Sequence, residues 1–172
     1  MEYLILFLPL IGSIISGFFG KTIGDRLSQL ITCILVSISA LLSLFIFFKV
    51  VSSGYEHNAI IATWINSGSL NVNWSIKVDA LSAVMLVVVT LVSSLVHIYS
   101  VGYMSHDPHK PRFMSYLSLF TFAMLTLVTS DNFLQLFFGW EGVGLCSYFL
   151  IGFWYKKLSL IHISEPTRPL RI

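Results

Sequence analysis

The sequence predicts an all-α membrane protein: five transmembrane helices, with a short extramembrane β-hairpin between helices two and three. Three observations carry that prediction. Of the 172 residues, 56% are hydrophobic and only 10% are charged, whereas globular domains run at about 25% charged. Five apolar runs have roughly the length, about 17–25 residues, that a helix needs to cross hydrocarbon. The one sizeable polar stretch, between the second and third runs, alternates with a period of two, the mark of a half-buried strand.

Leu4 to Phe19 is the first run. It lacks the basic amino-terminal region of a secretory signal, since Glu2 is acidic, and no small-residue cleavage site follows, so it reads as a retained helix. Lys21 to Arg26 reads as a tight basic turn, and Leu27 to Phe48 as the second helix. From Lys49 to Val78 the chain is polar. There Val72, Trp74, Ile76 and Val78 alternate with Asn71, Asn73, Ser75 and Lys77; Ile60 to Ile65 is a plausible partner, and Asn66-Ser67-Gly68-Ser69 has turn chemistry. This predicts a hairpin over about 60–78, resting on the membrane surface.

Asp79 is placed to cap the third helix, Ala80 to about Tyr103, by accepting backbone N–H bonds at its positive end. His97, Tyr99 and Tyr103 fall near the far end of that helix. Rings at headgroup level account for the tyrosines. His97 titrates near neutral pH and so is a candidate for a proton path, although a lone histidine more often serves a structural hydrogen bond. Ser105 to Arg112 reads as a polar loop, Phe113 to Ser130 as the fourth helix, and Phe133 to Tyr155 as the fifth, with Asp131 as its cap.

Five spans put Lys21, Arg26, Lys110, Arg112, Lys156 and Lys157 on one side, and only Lys49 and Lys77 on the other. Under the positive-inside rule the amino terminus and hairpin lie outside. The net charge of +2 is too small to suggest nucleic acid. The two cysteines, Cys33 and Cys146, both fall in membrane segments, which indicates neither a disulfide frame nor a zinc site. No CxxC, GxGxxG or Walker-type sequence is present, so the chain shows no means of its own to hold a flavin, an iron–sulfur cluster or a nucleotide.

The functional signal lies in the fifth run, GWEGVGLCSYFLIGFWY from Gly139 to Tyr155. A carboxylate inside hydrocarbon costs about 2.5–3.5 kcal/mol on insertion scales, so Glu141 is expected to face protein or water and to perform a task. At about 100° per residue, Glu141, Gly144, Tyr148 and Gly152 share one narrow face, a polar stripe expected to be close-packed, with Gly144 as a helix-packing residue. Gly139, Gly142 and Cys146 form a second small-residue stripe of the kind that lets another helix approach closely. The helix is therefore expected to be packed on several sides, with Glu141 pointing into the bundle; a Glu141 in contact with lipid would leave only a membrane anchor. After Lys157, LSLIHISEPTRPLRI is too short, too polar and too proline-rich to span. It resembles read-through of a sequencing adapter, so residues 158–172 are read as a non-native tail, and residues 1–157 as the front of a longer antiporter-like domain.

These residues carry a resemblance. GWEGVGLCSYFLIGFWY, together with VDALS at Val78 to Ser82, LVHIYSVGYM at Leu95 to Met104 and DNFLQLFFGWEG at Asp131 to Gly142, resembles the large antiporter-like subunit of respiratory complex I, the subunit L or chain 5 type. The resemblance covers Met1 to Lys157. It implies a many-helix bundle of inverted repeats, in a bacterial inner or mitochondrial inner membrane, that couples quinone reduction by NADH to proton pumping. It implies other complex I subunits as partners, with FMN, iron–sulfur clusters, NADH and quinone bound in those subunits and no cofactor or metal in this chain. Glu141 matches the helix-five glutamate that pairs with a lysine on a later helix; His97, Tyr148 and Asp79 are candidate supports of the path. Two other classes stand beside it: the large subunit of an Mrp-type cation/proton antiporter, and an inert structural membrane protein.

Overall fold

The computed structural model describes residues 1–68 and 70–154; the expected tail and the basic pair at Lys156 and Lys157 lie outside them. Among the described residues, five helices are long and apolar enough to cross a membrane. They are α1 (Glu2–Ile23), α2 (Asp25–Ser53), α3 (Ala80–Tyr103), α4 (Lys110–Val128) and α5 (Phe133–Ile151). Between α2 and α3 stand β1 (His57–Ser67) and β2 (Leu70–Val78), which pair antiparallel from Ser67↔Leu70 to His57↔Val78.

Several ends differ from the sequence reading, each for a local reason. The basic turn shrinks to Gly24, whose φ of 88° lets α1 pass almost directly into α2. Helix α2 continues past Phe48 and takes in Lys49, stopping only where Gly54 enters the left-handed region (φ 59°) and its N–H bonds back to Val50 O. Helix α4 starts at Lys110 because Pro111 sits in its first turn, where a missing N–H costs nothing. The fifth helix tightens after Ile151 into a 3-10 turn at Gly152–Trp154. Both strands are longer than expected, and register shifts between Ile60 and Ala62 and between Thr63 and Ile65 explain why β1 lacks a clean alternation.

Helix α4 lies centrally, in contact with α1, α2, α3 and α5, while α2 also packs on α1 and α3. The apolar core gathers at one end: Ile5, Leu6, Ile46, Val50, Ala83, Leu86 and Leu125 close over Ile76 and Val78 of β2. Elsewhere the helix contacts are built from small hydroxyl residues. Ser43 and Thr90 join α2 to α3 at 2.7 Å, Ser37 and Ser94 do the same at 2.9 Å, and Ser13 of α1 donates to Ser115 O of α4 at 2.9 Å. Lipid gives helices no hydrophobic reason to associate, so close backbone approach and such bonds take over. At the other end from the hairpin, Lys110 pairs with Asp25 at 3.5 Å and Arg112 donates to Phe153 O at 3.0 Å. Of the basic residues read as one-sided, Lys110 and Arg112 lie there, beside the α1–α2 junction that Lys21 and Arg26 flank, whereas Lys156 and Lys157 fall outside the described residues.

Candidate functional site

Helix α5 carries the acid. It begins at Asn132, whose Oδ1 accepts Gln135 N–H at 2.9 Å. That corrects the sequence reading of Asp131 as the cap: the helix starts one residue later than that role needs. Asp131 instead takes an exposed bond from Asn58 Nδ2 at 2.9 Å and an ion pair with Lys77 at 3.7 Å.

Glu141 lies eight residues into the helix, about 12 Å along its axis, near the middle of the span. The small-residue stripe meets α4: a Cβ on Gly139 would come within 2.7–2.9 Å of Leu127 N, Cα and Cβ, and one on Gly142 within 3.2 Å of Ala123 Cβ. Cys146 is buried on the same side. The other stripe is open, which corrects the expectation that it is close-packed and that Gly144 packs against a helix. Glu141 is exposed, Tyr148 is 72% exposed, and Gly144 has no neighbour within 4 Å. Glu141 therefore faces outward from the five helices instead of into the bundle. The reason is topological: α4 is the helix along which α5 packs closely, its first turns also rest on β2, and the face that carries Glu141 is turned away from α4. Among the described residues no hydrogen bond or ion pair reaches the Glu141 carboxylate.

The other candidates are dispersed. Asp79 is the cap of α3, its Oδ1 accepting Ser82 N–H at 2.8 Å. That bond holds the carboxyl below its ordinary value of 3.8, with partial burial opposing and Lys77 assisting. The sign follows: its stabilisation is complete above pH 3.8 and is lost as the pH falls through the lowered folded value. Asp79→Ala should cost about 1 kcal/mol by thermal unfolding at neutral pH, and the difference from wild type should vanish in acid.

His97 is fully buried between α3 and α4. Its Nδ1 meets Ser93 O at 2.8 Å and its Nε2 meets Ser118 Oγ at 3.0 Å, while Ser93 Oγ joins Thr121 Oγ1. The structure thus gives His97 structural partners on both ring nitrogens. It does not bring His97, Asp79 and Glu141 into one cluster: each stands on a different helix end or height. No group of three potential metal-ligating side chains occurs among the described residues.

Sequence reasoning missed one side chain, Gln135, which is fully buried. Its Oε1 accepts Ser75 N–H at 3.1 Å and its Nε2 donates to Ser75 O at 2.7 Å. On either side Asn132 Nδ2 donates to Asn73 O at 2.8 Å and Lys77 N–H donates to Thr129 O at 2.9 Å. The β2 edge that does not face β1 is therefore satisfied by the α4–α5 turn. A glutamine in an apolar run gave no periodic signal, although its amide in a membrane segment demanded partners.

Residues 64–114 match the family described as NADH-Ubiquinone oxidoreductase (complex I), chain 5 N-terminus. Residues 130–162 match NADH:quinone oxidoreductase/Mrp antiporter, TM, a match that runs past Lys157. The chain is 54% identical over 159 residues to NADH-ubiquinone oxidoreductase chain 5 of Chondrus crispus. It is 55% identical over 158 residues to that of Arabidopsis thaliana, and 54% to that of Triticum aestivum. These alignments cover 92% of this chain and 24% of each relative, so the chain spans about a quarter of their length. With five membrane-length helices among the described residues and these two family matches in order along it, the chain is similar to NADH-ubiquinone oxidoreductase chain 5 over that quarter of the relatives' length.

Proposed function

We propose that this chain is part of a proton-translocating membrane subunit of NADH:quinone oxidoreductase, and that Glu141 is a proton carrier in it. One observation supports this above the rest. A carboxylate stands at mid-height on a membrane-length helix, with an open glycine and a tyrosine on its face and no partner among the described residues. Hydrocarbon does not tolerate such a group on its own, so further protein is expected to cover it. A cation arriving on that protein favours the charged carboxylate, and its withdrawal lets the carboxyl take up a proton. Redox energy released elsewhere in the complex would set the position of the cation.

In this reading the other complex I subunits are partners and hold FMN, the iron–sulfur clusters, NADH and quinone. The amino terminus and the hairpin face the outer side of the membrane, in keeping with the basic residues gathered at the opposite end. His97 supports the α3–α4 contact. The name of the second matching family also admits an Mrp-type antiporter without redox coupling.

The test is Glu141→Gln in the assembled complex in sealed vesicles. Protons moved per electron pair should fall well below wild type while the complex remains assembled. A wild-type ratio would remove Glu141 from the transport path. Pumping that persists without NADH-driven electron transfer would favour the antiporter.

A further inference from the structure

We propose that Gln135 is a positioning residue for Glu141, setting the rotation and height of α5 by gripping β2; this rests on the reading of Glu141 as a proton carrier. Three features of the structure carry it. First, the grip is bidentate: one amide both accepts from and donates to the peptide groups of a single residue, Ser75, as a neighbouring strand would. Two bonds to the N–H and C=O of one residue fix direction as well as distance, which a lone contact does not.

Second, the grip lies where α5 has little else to orient it. Over its first half the helix touches α4 through glycines, and a side-chain contact, Phe149 stacked on Tyr116 at 5.2 Å between ring centres, comes only near its end. A glycine seam permits close approach but has no side chain to resist rotation or sliding. The polar bonds that hold α5 in register come from its two ends. At the start they are Gln135 and Asn132 on β2, with Phe138 packed edge-on against Trp74 at 4.9 Å between ring centres. At the finish they are the Arg112 contact to Phe153 O and Trp154 Nε1 on Asp107 at 2.7 Å.

Third, the geometry links the two residues rigidly. Six helical positions separate them, about 9 Å along the axis and about 240° round it. Gln135 held inward against the strand therefore obliges Glu141 to face outward. The hairpin itself is anchored by Ile76 and Val78 in the apolar core, so the setting of Glu141 is referred to that core. A functional group is most accurately placed when a second set of bonds locks the element that bears it.

The experiment compares Gln135→Leu, Glu141→Gln and the double variant in the assembled complex, in sealed vesicles, as protons moved per electron pair. Gln135→Leu should lower the ratio toward that of Glu141→Gln, and the double variant should fall no lower than Glu141→Gln alone. If Glu141→Gln lowers the ratio but Gln135→Leu leaves it at wild type, or lowers it further in the double variant, positioning is overturned and the role of Glu141 stands. If Glu141→Gln itself has no effect, the functional reading fails first. Should Gln135→Leu fail to assemble, Gln135→Asn replaces it. That variant keeps the amide but is one methylene shorter, so it cannot reach both Ser75 N–H and Ser75 O from the same helix position. Its ratio should lie between wild type and Glu141→Gln, with no further loss in the Glu141→Gln background; a wild-type ratio or an additive loss overturns the proposal.

Discussion

Gly139→Ala should weaken the α4–α5 contact more than any other single-methyl addition along α5. The added carbon would lie 2.7 Å from Leu127 Cα and 2.8 Å from Leu127 N, which are backbone atoms of a helix that four neighbours hold in place. Neither can swing aside as a side-chain tip would. The two helices must part, and the overpacking cost is about 1–3 kcal/mol. Gly144→Ala is the control, because nothing lies within 4 Å of its Cβ position and alanine is the better helix former. Thermal unfolding in detergent should show a lower transition for Gly139→Ala and an unchanged or slightly raised one for Gly144→Ala. Gly142→Ala, which meets only the methyl of Ala123 at 3.2 Å, should fall between them.

The second large effect is on stability at Gln135. Gln135→Leu keeps the volume and removes both partners of Ser75, leaving a buried N–H and a buried C=O without bonds. Each such group costs about 1–3 kcal/mol. The loss should be local before it is global, since the apolar side of β2 stays packed through Ile76 and Val78. Amide exchange at Ser75 and Lys77 should therefore accelerate well before the helices unfold. Unchanged exchange at Ser75 would mean that water or another side chain had taken over the bonds.

Much of the architecture was legible because it follows from period and composition. Apolar runs gave the five helices, and the alternation from Asn71 to Val78 gave β2, since both patterns repeat over many residues. Ends were less legible. Lys49 could be placed inside α2 or outside it, and the deciding factor was the left-handed Gly54 five residues on. Asp131 and Asn132 are both good caps, and only the start of α5 chose between them. The small-residue stripe at Gly139 and Gly142 could be read from spacing, whereas the direction of Glu141 could not. Helical phase says which residues share a face; it does not say which faces find a neighbour. The bonds of Gln135 were hidden for a related reason, because they join one side chain to a strand 60 positions away and leave no local mark.

That separation bears on how the chain is made. When β2 has just left the ribosome, its edge at Asn73, Ser75 and Lys77 has nothing to bind, and it stays so until α3, α4 and the first turn of α5 have been synthesised. For that interval the hairpin presents a bare strand border able to recruit the wrong peptide. Insertion of α4 and α5 is thus the step that closes the window, and delay there should expose the nascent chain to aggregation or proteolysis.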